Sequence, residues 1–185
     1  MNFKNLFLLL LVSLVIVLIS FSRNLIKSAG VFEVNKKINS KIFNIFDNKY
    51  VFVFFGYVAC EDVCTPRLKE LSDIIKLIKN EQIDINTLFV NMVDFNDKHI
   101  AQRFARQFNK DFNAVTLLDE DLKKIQNEFN IYNTASLTQD GEYNHTSYLF
   151  LLKKNMKNYS LIRIYTKTPF DKDVIIKDIK IENTK

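Results

Sequence analysis

Apolar residues run through this chain in three patterns: unbroken, alternating and helically spaced. The longest unbroken run, Leu6 to Phe21, is interrupted only by Ser13 and Ser20 and is flanked by Lys4 and Arg23. It sits near the lower length limit of a membrane helix, roughly 17–25 residues, and predicts an uncleaved N-terminal transmembrane helix; the apolar core of a secretory signal is the competing reading. No cysteine stands directly behind it to carry a lipid. A short polar tether leads to Val31–Val34 and Lys41–Phe46, which predict a small hairpin. Tyr50 to Phe55 is continuous and rich in Val and Phe, the pattern of a strand buried on both faces, and Gly56 ends it. Leu68, Leu71, Ile74, Ile75 and Ile78 share one helical face, and Thr65-Pro66 predicts an N-cap with proline in the first turn.

The alternation continues downstream. Thr87–Val93 predicts a second buried strand, and Ile100, Phe104 and Phe108 a helix. Ala114–Leu117 predicts a brief strand, and Asp119–Phe129 a helix with an acidic start. Ser147–Leu152 and Tyr159–Tyr165 predict paired strands across a polar turn, and Asp171–Ile179 a closing helix. Strands alternating with helices, bracketed by hairpins, call for an α/β mixed sheet flanked by helices on both faces. The expected division is residues 1–27 as anchor and tether and 28–185 as one domain.

Composition narrows the partners. The chain of 185 residues is 48% hydrophobic, enough for one well-packed domain but too short for two comfortable ones. Its charge of +5 comes from 26 basic and 21 acidic residues without a block of like charges to hold a nucleic-acid backbone, so nucleic acid is not an expected partner. Arg23, Lys27, Lys36 and Lys37 outnumber Lys4 around the apolar run, a bias that on its own keeps the domain cytoplasmic.

The two cysteines, Cys60 and Cys64, are four residues apart in the loop between the central strand and the first helix. Strand carboxyl ends are where open α/β sheets bind ligands, and a nearby helix N-terminus favours thiolates. A disulfide spanning so short a loop removes little chain entropy. Structural zinc modules need paired ligand spacings that His99 and His145 do not supply. His145 precedes a late strand that this topology brings beside the cysteine loop, whereas His99 reads as a structural residue of the second helix. Two thiolates and one imidazole form a soft donor set that suits Cu(I) and also holds Cu(II). Met92 and Met156 read as core filler and turn residue.

The segment Phe55-Gly56-Tyr57-Val58-Ala59-Cys60-Glu61-Asp62-Val63-Cys64 resembles the signature of the SCO/SenC family, a Phe-Gly-Tyr strand end followed by Cys-Pro-Asp-x-Cys. Leu88–Asp94 is similar to the family's strand ending in an acidic residue, and Asn144-His145-Thr146 to its Asp-His-Ser; the likeness runs from about Val31 to the last helix. The resemblance implies a thioredoxin-like fold, copper ligands Cys60, Cys64 and His145, and delivery of copper to the binuclear copper site of cytochrome c oxidase. The oxidase's copper-bearing subunit and a copper donor protein are the implied partners. It also implies a bacterial cytoplasmic-membrane protein with a single-pass anchor and its domain on the periplasmic, outer face.

Glu61 stands where the family has proline, the next proline is displaced to Pro66, and Asn144 replaces the aspartate before the histidine. These departures imply altered affinity rather than a lost ligand.

A thiol–disulfide oxidoreductase cycling Cys60 and Cys64 is the alternative from another class, and the two cysteines would then be its catalytic residues. Its usual Cys-x-x-Cys spacing and adjacent proline are absent. A peroxidase fits less well, because Tyr57 stands where its threonine belongs, and a purely structural assembly factor would leave both thiols dispensable.

Overall fold

The computed structural model describes residues 5, 10–17, 30–135 and 143–185, with the backbone alone for residues 133–135 and 143–145. The chain divides into two compact units, Met1–Val31 and Phe32–Lys185. In the first, residues 10–17 are helical and their side chains exposed. Among the described residues no helix is long and apolar enough to cross a membrane. Residues 6–9 and 18–21 of the expected anchor lie outside the described residues.

The second unit is built on a six-stranded mixed sheet. Its strands are β1 (Val31–Ile38), β2 (Tyr50–Gly56), β3 (Ile85–Asn91), β4 (Asn113–Thr116), β7 (Leu149–Asn155) and β8 (Asn158–Tyr165), in the order β1-β8-β7-β2-β3-β4. A separate two-stranded sheet pairs β5 (Asn133–Ala135) with β6 (Tyr143–His145). The helices are α1 (Cys64–Asn80), α2 (Ile100–Arg106), α3 (Asp119–Phe129) and α4 (Lys172–Asn183).

β2 lies parallel to β3, with Gly56 opposite Asn91, and antiparallel to β7, with Phe54 opposite Leu149. All seven of its residues are buried, as the unbroken apolar run requires of a central strand. Val51, Val53 and Phe55 face one layer, where Phe129 of α3 meets the rings of Phe55 and Phe150. Phe52 and Phe54 point the other way, and Phe54 stacks on Phe89 and meets Phe170 edge-on. Each such ring removed from water stabilises the fold by about 1.5–3 kcal/mol. Gly56 belongs to this second face, the face of α1.

Two expectations are corrected. The hairpin expected at Val31–Val34 and Lys41–Phe46 does not form. The first segment extends as β1, the sheet edge beside β8, and Lys41–Ile45 is a 3-10 helix. Its three-residue turn brings Phe43 and Phe46 into the core together and leaves Ile45 exposed. Helix α1 begins at Cys64 itself, so Thr65 is inside the first turn and caps nothing; the N-cap position is Val63. Pro66 remains in the first turn, where its missing N–H costs no helical hydrogen bond.

Candidate metal centre

β2 delivers Gly56 to the end of the sheet, where the Met92 N–H still donates to the Gly56 carbonyl at 2.9 Å. The chain then turns through Tyr57–Val63 and enters α1. Cys60 N–H donates to the Tyr57 carbonyl at 3.4 Å, and both the N–H and hydroxyl of Thr65 donate to the Cys60 carbonyl, at 3.1 and 3.0 Å. The hydroxyl that looked in sequence like a helix cap therefore closes the cysteine loop instead.

The sulfurs are placed by different means. Cys60 Sγ accepts the backbone N–H of Cys64 at 3.3 Å, one of the donors that a helix start leaves without an intrahelical partner. No side chain of Val63 caps the helix, so a sulfur stands where a capping oxygen usually does. Cys64 Sγ is seated against Gly56: a Cβ built on Gly56 would stand 2.5 Å from that sulfur and 3.1 Å from the Phe89 ring. Only glycine leaves room for it there.

Both cysteines are thiols and are almost fully buried, Cys60 at 2% and Cys64 at 0% exposure. The loop around them presents Ala59, Glu61 and Asp62 to solvent. A groove of about 810 Å³ runs from Ala59 and Glu61 between α1 and α2.

His145 is the last residue of β6, paired in register with Asn133. Its side chain lies outside the described residues. Thr146 N–H donates to the Tyr132 carbonyl at 3.2 Å and the Thr146 hydroxyl accepts from Tyr132 N–H at 3.3 Å, which closes the base of the β5–β6 hairpin. Four residues after His145 the chain enters β7 at Leu149, opposite Phe54. The strand expected from Ser147 thus begins two residues later, and the histidine belongs to a hairpin that had no hydrophobic pattern to announce it. Among the described residues no three His, Cys, Asp or Glu side chains cluster as a metal site.

His99 is exposed and precedes α2 instead of lying within it, so it is a surface residue and not a packed one. Met92 is 3% exposed in the core and Met156 is 96% exposed in the β7–β8 turn.

The family model described as SCO1/SenC matches residues 30–181. The chain belongs to the SCO1/SenC family. Among relatives of this SCO1/SenC chain, the SCO2-like protein RP587 of Rickettsia prowazekii is 25% identical over 146 residues, 74% of this chain and 71% of that one. The fold matches that of Arabidopsis thaliana ScoI, a crystal structure with copper bound. The TM-score is 0.64 at 18% identity over 80% of this chain and 98% of that one. It also matches BsSco, a member of the Sco family of cytochrome c oxidase assembly proteins in which a disulfide switch has been identified. There the TM-score is 0.57 at 19% identity, over 80% of this chain and 94% of that one. The fold is thioredoxin-like, as the sequence resemblance implied.

Sequence reading placed Gly56 as a strand terminator and as part of the Phe-Gly-Tyr signature, without a role toward Cys64. Its role depends on where Cys64 returns after the loop, and the one local signal was a glycine, in a chain with only three, directly ahead of the cysteine segment.

Proposed function

We propose that this SCO1/SenC protein binds one copper ion through Cys60, Cys64 and His145 and passes it to the copper-bearing subunit of cytochrome c oxidase during assembly. The supporting observation is the pair of buried thiols, one accepting a helix-start N–H and the other seated in the space left by Gly56. Two buried thiols from one loop fit a soft monovalent ion, which tolerates low coordination. Neutral His145 would complete the set from β6. Copper here is cargo, so the chain's own task is to hold the donors together, keep bulk water from the sulfurs and release the ion to competing thiolates. The apolar run at Leu6–Phe21 would anchor the chain in a bacterial cytoplasmic membrane with residues 28–185 on the outer face, where a copper donor protein loads it.

A second reading uses the same sulfurs. The thiolate of Cys60 would attack a partner disulfide, after which Cys64 displaces the partner. Two protein thiols become one disulfide, and two electrons and two protons pass to the partner's sulfurs.

The two readings separate when the protein is offered the oxidase's copper-bearing domain. Transfer of copper from the loaded protein to a reduced domain supports delivery. Reduction of an oxidised domain by the copper-free protein, with no transfer of copper to the reduced domain, supports the redox reading and contradicts delivery.

A further inference from the structure

Asn91 is the last residue of β3 and is fully buried, at 0% exposure, in a segment otherwise made of Leu88, Phe89, Val90 and Met92. A polar side chain in such a position is unfavourable unless its hydrogen bonds are made. Here its carbonyl oxygen accepts the backbone N–H of Val58 at 3.1 Å. Its amide nitrogen donates to the Val93 carbonyl at 2.6 Å and to the Thr116 hydroxyl at 3.0 Å. One side chain therefore ties together the loop after β2, the chain leaving β3, and β4.

The tie to Val58 falls at the start of the cysteine loop. Ala59, the next residue, has φ 67, a left-handed conformation that residues with a Cβ adopt only when their surroundings impose it. Cys60 follows directly. Ala59 is exposed, so packing of its own side chain does not hold it there.

We propose that Asn91 is a positioning residue: by accepting the Val58 N–H it holds the loop in the turn that buries Cys60 Sγ against the Cys64 N–H. The inference rests on the proposed function only in taking the two thiols as the reacting groups.

The test is the rate at which iodoacetamide alkylates Cys60 and Cys64 in the native full chain in detergent micelles. Wild type, Asn91→Leu and Thr116→Val are compared at equal distance below their unfolding midpoints. Thr116→Val breaks the bond to β4 but leaves the Asn91 carbonyl on Val58. Asn91→Leu is expected to raise both alkylation rates at least tenfold and to weaken Cu(I) binding at least tenfold, while Thr116→Val changes neither by more than about twofold. Equal acceleration in the two variants, or none in Asn91→Leu, overturns the proposal. An unchanged copper affinity in Asn91→Leu, with tight binding in wild type, overturns it while leaving copper binding intact. If wild type binds no copper yet the alkylation contrast holds, the positioning role stands and the copper reading fails. Should Asn91→Leu not fold, hydrogen exchange of wild type decides: the Val58 amide is expected to exchange as slowly as those of β2, and exchange as fast as at Asp62 overturns the proposal.

Discussion

At the scale of single residues, three positions carry clear consequences. Gly56→Ala puts a methyl group where Cys64 Sγ sits, 2.5 Å away. Overpacking of this kind costs about 1–3 kcal/mol, and the sulfur has to move. Urea unfolding should show the loss of stability, and Cu(I) affinity should fall with it; a variant with wild-type affinity would mean that the seat of Cys64 is not needed for the ion. Tyr50 and Tyr159 make a matched pair. Both hydroxyls are pushed up to about 12, in each case by burial first, followed by Glu182 for Tyr50 and by Asp84 and Asp47 for Tyr159. Tyr159 donates to the Asn48 carbonyl at 2.7 Å, whereas the Tyr50 hydroxyl is buried with no hydrogen-bond partner among the described residues. Tyr159→Phe should cost about 1 kcal/mol at neutral pH and Tyr50→Phe close to nothing. Because a tyrosine in the unfolded chain ionises near ~10, the folded values are raised. Their contribution is complete below that pH and is lost as pH rises toward the folded values. Thermal unfolding midpoints should drop steeply above pH ~10, and less steeply in either Phe variant.

At the scale of elements, the closing helix α4 is attached through charge as well as packing. Ile175 and Ile179 are fully buried, and Glu182 one turn on is 5% exposed. It accepts from Arg163 of β8 at 2.8 Å and from Lys185 at 2.7 Å. Burial alone would raise its carboxyl. The hydrogen bond from Lys185 and the charges of Arg163, Lys185 and Lys153 outweigh that and hold it below the usual carboxylate range. A lowered folded value means stability that is present above the unfolded pKa and lost as pH falls through the folded one. Asp178, on the same helix, is raised by burial and works in the opposite sense. Glu182→Gln should cost about 2 kcal/mol at pH 7. That is less than the ~3–5 kcal/mol of a fully buried broken pair, because Glu33 still pairs with Arg163 at 3.1 Å. Urea midpoints of wild type and variant should converge as the buffer is taken to acid pH; a constant gap would show that the carboxylate charge is not what matters.

The elements also show what a linear reading captures. Val51 to Phe55 and the Leu68–Ile78 stripe were legible because a buried strand and an amphipathic helix write their burial into a local period. The Lys41–Phe46 error came from reading Ile42-Phe43 and Ile45-Phe46 as strand, when the buried pair is Phe43 and Phe46, three residues apart. β5 and β6 carry Asn-Thr-Ala and Tyr-Asn-His, with no apolar alternation for a reader to find. Cys60 and Cys64 stood out as the only cysteines of the chain. Gly56 and Asn91 did not, because each acts on a segment it meets only once the chain has folded.

At the scale of the whole molecule, the sheet order places the outgoing end of β2 beside the incoming end of β7, so that loops remote in sequence emerge at one end of the sheet. On the copper reading proposed above, two cysteines of one loop and a histidine of a far later hairpin would serve one ion from that end of the sheet. The most direct measurement is a competition titration of the reduced full chain in detergent micelles, without oxygen, against a Cu(I) chelator. It is run for wild type, Cys60→Ser, Cys64→Ser and His145→Ala. Copper delivery through a three-donor site predicts one tightly held Cu(I) per chain in wild type and a loss of at least tenfold in each variant. A wild type that holds copper no better than its cysteine variants would contradict it, and a His145→Ala variant with wild-type affinity would remove the histidine from the donor set.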